Sequence, residues 1–217
     1  MNTVRAGLAS WSLLVLAHAG FSQQNDPRAT QILNSVSATY KELRSAKADF
    51  SIRVESPNAK TSDVQTGTLF MKGNKFKLSL KNQEVISDNV TIWTYLKEAN
   101  EVQVNHYEPD ENTITPMQLF TLYEKDFLYA FTDEKQMQGK TIQFIELTPL
   151  DKTKPYFKVR LGIDKATRMV QNAVVFDKNG NRYYYEIKSF TANPQLADSF
   201  FHFDPRAYPG IEVVDLR

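Results

Sequence analysis

Cysteine is absent from this 217-residue chain, and that one lack removes several kinds of chemistry together. No disulfide, thiolate nucleophile or thiolate metal ligand can form. Nor is there an acceptor cysteine for a bacterial lipid anchor, so the processed protein is expected to be soluble. Glycine is scarce, with 8 residues, none of them clustered, which leaves no loop to cradle phosphate. Only three histidines occur. His106 and His202 stand far apart, without a carboxylate or second histidine at ligand spacing, and His18 lies in the N-terminal run, so no metal is expected. No Gly-x-Ser-x-Gly turn is present, and neither a cofactor nor an enzymatic reaction is expected. Neither sign of charge prevails, with 26 basic and 25 acidic residues, which argues against nucleic acid or an acidic surface as the main partner. No repeat or low-complexity segment appears.

Long apolar runs are confined to the start of the chain. Arg5 precedes an apolar stretch from Ala6 to Ala19, closed by Ala17-His18-Ala19 and followed by a second small-x-small site, Gly20-Phe21-Ser22. This is the pattern of a cleaved secretory signal, and the run is short of the roughly 20 residues a membrane span needs. Residues 1–22 are therefore read as the signal and 23–217 as one domain, whose length of about 195 residues suffices for a core without disulfides.

What the chain has in quantity is aromatic and alternating apolar sequence, including 14 phenylalanines and 10 tyrosines. Asp26-Pro27 reads as a cap and first turn, and Ala29, Ile32, Leu33, Val36, Tyr40 and Leu43 form one helical stripe. Strands follow. Phe50, Ile52 and Val54 alternate with polar residues, Thr66 to Met71 runs to a turn at Gly73-Asn74, and Phe76, Leu78 and Leu80 alternate with lysine and serine. Glu84 to Ile86, Val90 to Leu96 and Val102 to Val104 are further short strands. Later come Ile142 to Leu147, Phe157 to Ile163, Val170 to Phe176 and Tyr183 to Ile187, with Asn179-Gly180 as a hairpin turn. Asp177 to Asn181 faintly resembles a calcium loop, but glycine and glutamate are not where such a loop needs them. Turns every eight to twelve residues predict an antiparallel meander in a sandwich or barrel.

One segment breaks the alternation. From Ile114 to Phe131, Met117, Phe120, Tyr123, Phe127 and Phe131 recur at helical spacing behind Thr115-Pro116, which predicts a helix with an apolar face. Such a helix fills a core or covers a cavity on the concave side of the sheet.

Three stretches carry a family resemblance: Gly67-Thr68-Leu69-Phe70-Met71-Lys72, Ile86 to Tyr95, and the ending Phe201-His202-Phe203-Asp204-Pro205 with Pro209 to Asp215. In this order they resemble the periplasmic outer-membrane lipoprotein carriers, the LolA-like family, and Pro116 to Lys125 is similar to a segment of its Bacteroidetes type. The resemblance implies a mainly β fold with some α, an incomplete antiparallel β-barrel of about 11 strands under a helical lid. It implies a periplasmic carrier, monomeric and without cofactor, that binds the acyl chains of lipoproteins in a hydrophobic cavity. The implied partners are an inner-membrane ABC-type lipoprotein-releasing complex and an outer-membrane receptor. The alternative is a periplasmic sensor module of an envelope-stress regulator that detects lipid or lipoprotein.

By the same likeness Phe76, Leu78 and Leu80 match the strand facing the cavity, and Phe50, Ile52, Phe70, Trp93 and Tyr95 are assigned to its wall. Met117, Leu119, Phe120 and Tyr123 match the lid, with Leu33, Val36 and Tyr40 of the first helix as the second cover. The family's arginine that holds the lid shut is missing, because Gly73 follows Lys72; Lys72, Lys75 and Arg53 are the substitutes.

Overall fold

The computed structural model describes residues 25–57, 63–108 and 126–217. The expected signal and the expected lid residues Met117, Leu119, Phe120 and Tyr123 lie outside the described residues.

Helix α1, Pro27–Lys41, begins where the sequence places it. The Asp26 carboxylate accepts from the backbone N–H of Arg28 and Ala29, and Pro27 occupies the first turn. Its buried stripe is Ala29, Ile32, Leu33 and Val36. The described strands are β1 (Ala46–Glu55), β2 (Asp63–Lys72), β3 (Lys75–Leu80), β4 (Gln83–Ser87), β5 (Thr91–Leu96), β6 (Glu101–His106), β7 (Phe127–Met137), β8 (Lys140–Pro149), β9 (Tyr156–Asp164), β10 (Met169–Asp177), β11 (Arg182–Ala192) and β12 (Glu212–Asp215). They form one 12-stranded sheet in the order β12-β6-β5-β4-β3-β2-β1-β11-β10-β9-β8-β7. Every pairing is antiparallel except β12 with β6, which is parallel. Strands β12 and β7 are the two edges, so the sheet is an unclosed barrel. Register shifts in β1 at Asp49/Phe50, in β10 after Val170 and in β7 after Phe131 mark the bulges that bend and twist it.

The residues Phe127 to Phe131 are strand, not the end of a helix. Phe127 and Phe131 are four apart, as in a helix, but Phe127, Tyr129 and Phe131 also alternate, and β8 supplies the ladder: Phe127 faces Pro149, Tyr129 faces Leu147 and Phe131 faces Ile145. Asp126, at φ +65, sits in the left-handed region just before the strand.

Helix α1 lies on the inner face of the β7–β11 half. Its stripe packs with Phe127, Ile145, Leu147, Val159, Leu161, Ile163, Val170, Ala173 and Val175 in the largest core of the domain. The start of the helix is stitched to the edge strand: Tyr129 N–H donates to Asn25 Oδ1 (2.9 Å), Phe131 N–H to Asp26 Oδ2 (3.0 Å) and Asp26 N–H to the Tyr129 carbonyl (3.1 Å). Arg28 stacks on the Phe131 ring, 3.5 Å from its centroid, and pairs with Glu134. At the other end the Tyr40 hydroxyl accepts from Val170 N–H.

Candidate functional site: the apolar inner face of strands β1–β5

Strand β6 ends on the side of the sheet that holds the Gly73-Asn74 turn, whereas β7 starts from the opposite end and the far edge. The inner face of β1–β5 lies between them, and α1 reaches it only with Tyr40. Phe50, Leu69 and Phe76 are buried there, with Ile52, Met71, Leu78, Leu80, Val85, Ile92, Tyr107 and Ile187 half-buried around them. Register brings these side chains into rows. Leu69 stands opposite Leu78 and Leu78 opposite Val85; Met71 stands opposite Phe76. Toward the edge the face turns polar, with Asn105 opposite Ile92 and Gln103 opposite Thr94. The patch is thus an apolar floor with a polar margin.

Gly67 explains part of its shape. A Cβ there would lie 2.7 Å from Leu80 Cδ2 and 2.8 Å from Phe50 Cζ, so the glycine lets the Phe50 ring lie across β2 against Leu80. Tyr40 joins the two halves, touching both the core under α1 and the β1–β5 patch, and its ring meets Phe190 edge-on with centroids 6.3 Å apart. Burial pushes the Tyr40 hydroxyl well above its ordinary pKa and that of Tyr185 up to about 12, so both stay neutral donors and acceptors on an apolar face. Among the described residues no cluster of histidine and carboxylate is placed to hold a metal.

The expected wall residues divide between the two sides of the sheet. Phe50, Ile52, Phe76, Leu78 and Leu80 come together on the inner face. Phe70, Trp93 and Tyr95 do not; they lie on the outer face, and the expectation for them is corrected. The C-terminal segment packs there. Phe200 meets Phe70 at 4.9 Å, His202 meets Trp93 at 4.8 Å, and Tyr208 meets Tyr95 at 4.8 Å, while Phe203, 2% exposed, packs among Ile86, Trp93, Val102 and Val104. The cause is the period of two in a strand. A two-residue turn at Gly73-Asn74 pairs Met71 with Phe76 and Leu69 with Leu78, so Phe70 must point the other way. The sequence carries that signal, and with it Leu69 and Met71 join the site; Val85 and Ile92 follow through the next turns.

Of the second cover, Leu33 and Val36 sit in the core under α1, 3% and 0% exposed, and of these three Tyr40 alone reaches the β1–β5 patch. The three candidate latch cations also face outward. Lys72 Nζ donates to the Leu196 carbonyl and pairs with Asp198 (both 2.8 Å), Lys75 pairs with Asp198 at 3.1 Å, and Arg53 pairs with Glu55 and stacks on Tyr184. Lys72 and Lys75 pin the C-terminal segment instead. Gly73 takes φ +56, a conformation in which an arginine would be strained.

The family model of the outer membrane lipoprotein carrier protein LolA matches residues 41–204. No curated protein matches the chain in sequence. Among solved structures, an uncharacterized conserved protein from Thermus thermophilus is 11% identical, with 87% of this chain and 99% of that one covered and a TM-score of 0.59. LprF from Mycobacterium bovis is 13% identical over 80% of this chain and 97% of its own, with a TM-score of 0.50. A LolA superfamily protein from Nitrosomonas europaea is 13% identical over 81% and 97%, with a TM-score of 0.47. At these identities the likeness is one of fold.

Proposed function

Since the chain belongs to the family of the outer membrane lipoprotein carrier protein LolA, we propose that it is a soluble periplasmic carrier that takes lipoproteins by their acyl chains and shuttles them from the inner to the outer membrane. The observation that carries this reading is the apolar floor of β1–β5, which α1 leaves uncovered while it fills the rest of the inner face. An acyl chain loses roughly 0.8 kcal/mol per methylene exposed to water, so a lipoprotein crosses an aqueous space only against comparable apolar contact. Rows of leucine, methionine, valine and phenylalanine without a charge provide it.

A carrier must also let go. In this proposal Met117, Leu119, Phe120 and Tyr123, in the stretch between β6 and β7, cover the floor when it is empty and yield to the acyl chains, which lowers net affinity and keeps the empty protein soluble. Tyr40 forms the fixed margin of the same site. Cargo is received from an ABC-type releasing complex in the inner membrane and unloaded at the outer membrane.

Incubating the purified protein with spheroplasts and probing the supernatant for acylated lipoproteins tests the proposal. Release above a control without carrier is expected. Absence of release, together with recovery of a stable complex with a membrane-embedded signalling protein, would replace the carrier by a sensor.

A further inference from the structure

The balance of charge over the whole chain hides a local excess of cations at one end of the sheet, where β8 turns into β9 and β10 into β11. Leu150, just past the end of β8, is 53% exposed and Phe157, in β9, is 50% exposed there, although both strands are otherwise well buried on their inner side. Around them stand Lys152 and Lys154 in one turn, Lys178 in the other and Arg182 at the first position of β11. The two turns form one surface. Lys178 N–H donates to the Pro155 carbonyl at 2.9 Å, and its ammonium to the Lys152 carbonyl.

The acids of these turns are engaged within them. Asp177, 9% exposed, accepts from Asn181 N–H and Nδ2 (2.8 and 2.9 Å), and Asp151 accepts from the Thr153 N–H and hydroxyl (2.8 and 2.7 Å). Behind the tips, Phe176 lies 6.2 Å from Phe157, between Lys158 at 4.5 Å and Arg182 at 5.7 Å. The surface therefore presents two large apolar side chains among four cations, with Asp177 buried, Asp151 exposed but bonded within its own turn, and Glu55 opposite Arg182.

We propose that this end of the sheet docks on an anionic phospholipid bilayer, with Leu150 and Phe157 entering the headgroup region and the lysines held over lipid phosphates. A protein in contact with acidic lipid gains about 1 kcal/mol per lysine near the surface, and apolar tips add contact that salt does not screen. Docking is local and reversible, since two side chains are far less apolar contact than an anchor. It uses a different surface from the acyl site and stands without it.

Flotation of the purified protein with vesicles tests this. Vesicles containing about one third phosphatidylglycerol are expected to retain it at low salt and to release much of it at high salt, and pure phosphatidylcholine to retain several-fold less. The pair Lys152→Glu and Lys178→Glu should reduce retention about 25-fold or more on the anionic vesicles, at roughly fivefold per lysine lost. The pair Leu150→Ser and Phe157→Ser should reduce it at both salt concentrations. Each pair is read beside its unfolding midpoint and its uptake of a fluorescent fatty acid, both expected to be unchanged, so a folding defect in one pair leaves the other to decide. Equal retention on neutral and anionic vesicles, or retention unmoved by both pairs, overturns the proposal. So does retention on polyglutamate beads as strong as on vesicles, which would assign the surface to an acidic protein.

Discussion

Leu161 and Leu78 occupy inward-facing positions on the same sheet, and their different surroundings separate folding from binding. Leu161 is 0% exposed beneath α1, whereas Leu78 is half-buried on the β1–β5 floor. Replacing Leu161 by alanine deletes packed atoms and leaves a cavity, a loss of about 2–5 kcal/mol. In a domain of this size that lowers the unfolding midpoint by roughly 2–4 °C for each kcal/mol. Leu78→Ala should cost less than half as much stability, yet weaken fatty-acid uptake about tenfold, since it removes contact that the acyl chain shares. Thermal unfolding and a fluorescence titration of both variants check the contrast; equal loss of midpoint would make the β1–β5 floor ordinary core. The reading of Phe70 shows where single residues mislead. Next to Leu69 in the chain, it has the larger apolar side chain, but only the turn at Gly73-Asn74 decides which of the two faces inward.

At the scale of elements, α1 and β3 were legible because each carries one period and one polar face. The cap at Asp26, the proline after it and the stripe from Ala29 to Val36 all point to the same helix. Strand β5 was legible as a strand but not for its inner side, because Ile92, Trp93 and Tyr95 place apolar groups on both faces, and the group that buries Trp93 and Tyr95 comes from more than 100 residues later. The parallel strand β12 has no local signal at all; its partner β6 is found only by tertiary packing. The attachment of α1 to β7 is likewise visible only in the fold, and it makes a prediction about pH. The Phe131 N–H, more than the Arg28 and Ala29 N–H groups and the Arg28 charge, holds the Asp26 carboxyl below its usual range despite some desolvation. A carboxyl depressed in the folded state adds stability that is present above the unfolded pKa of about 3.9 and is lost as pH falls through the folded value. Asp26→Asn should therefore be less stable than the parent near neutrality, and the gap between their midpoints should shrink below about pH 4. A gap that stays constant into acid would mean that the charge of Asp26 does not hold the helix to the sheet.

For the whole molecule, the described residues place one α-helix on half of the inner face of an open sheet, and in the proposed function the other half is covered by the chain between β6 and β7 or by a ligand. In that proposal the two covers compete, and competition has a thermodynamic signature. A ligand that binds only the folded state at about 100 times its dissociation constant stabilises it by about 2.7 kcal/mol. At 2–4 °C per kcal/mol, that is a rise in midpoint of about 5–10 °C with a saturating fatty acid. Phe120→Glu places a charge in the proposed cover. If that stretch is a movable lid, the ligand-free midpoint should change little, because water or the remaining residues fill its place, whereas retention of a bound acyl chain during gel filtration should fall. If it is permanent core, a buried carboxylate without a partner costs several kcal/mol and the ligand-free midpoint drops as far as that of Leu161→Ala. The two midpoints, measured side by side with and without fatty acid, therefore distinguish a carrier that opens from a sheet whose inner face is closed for good.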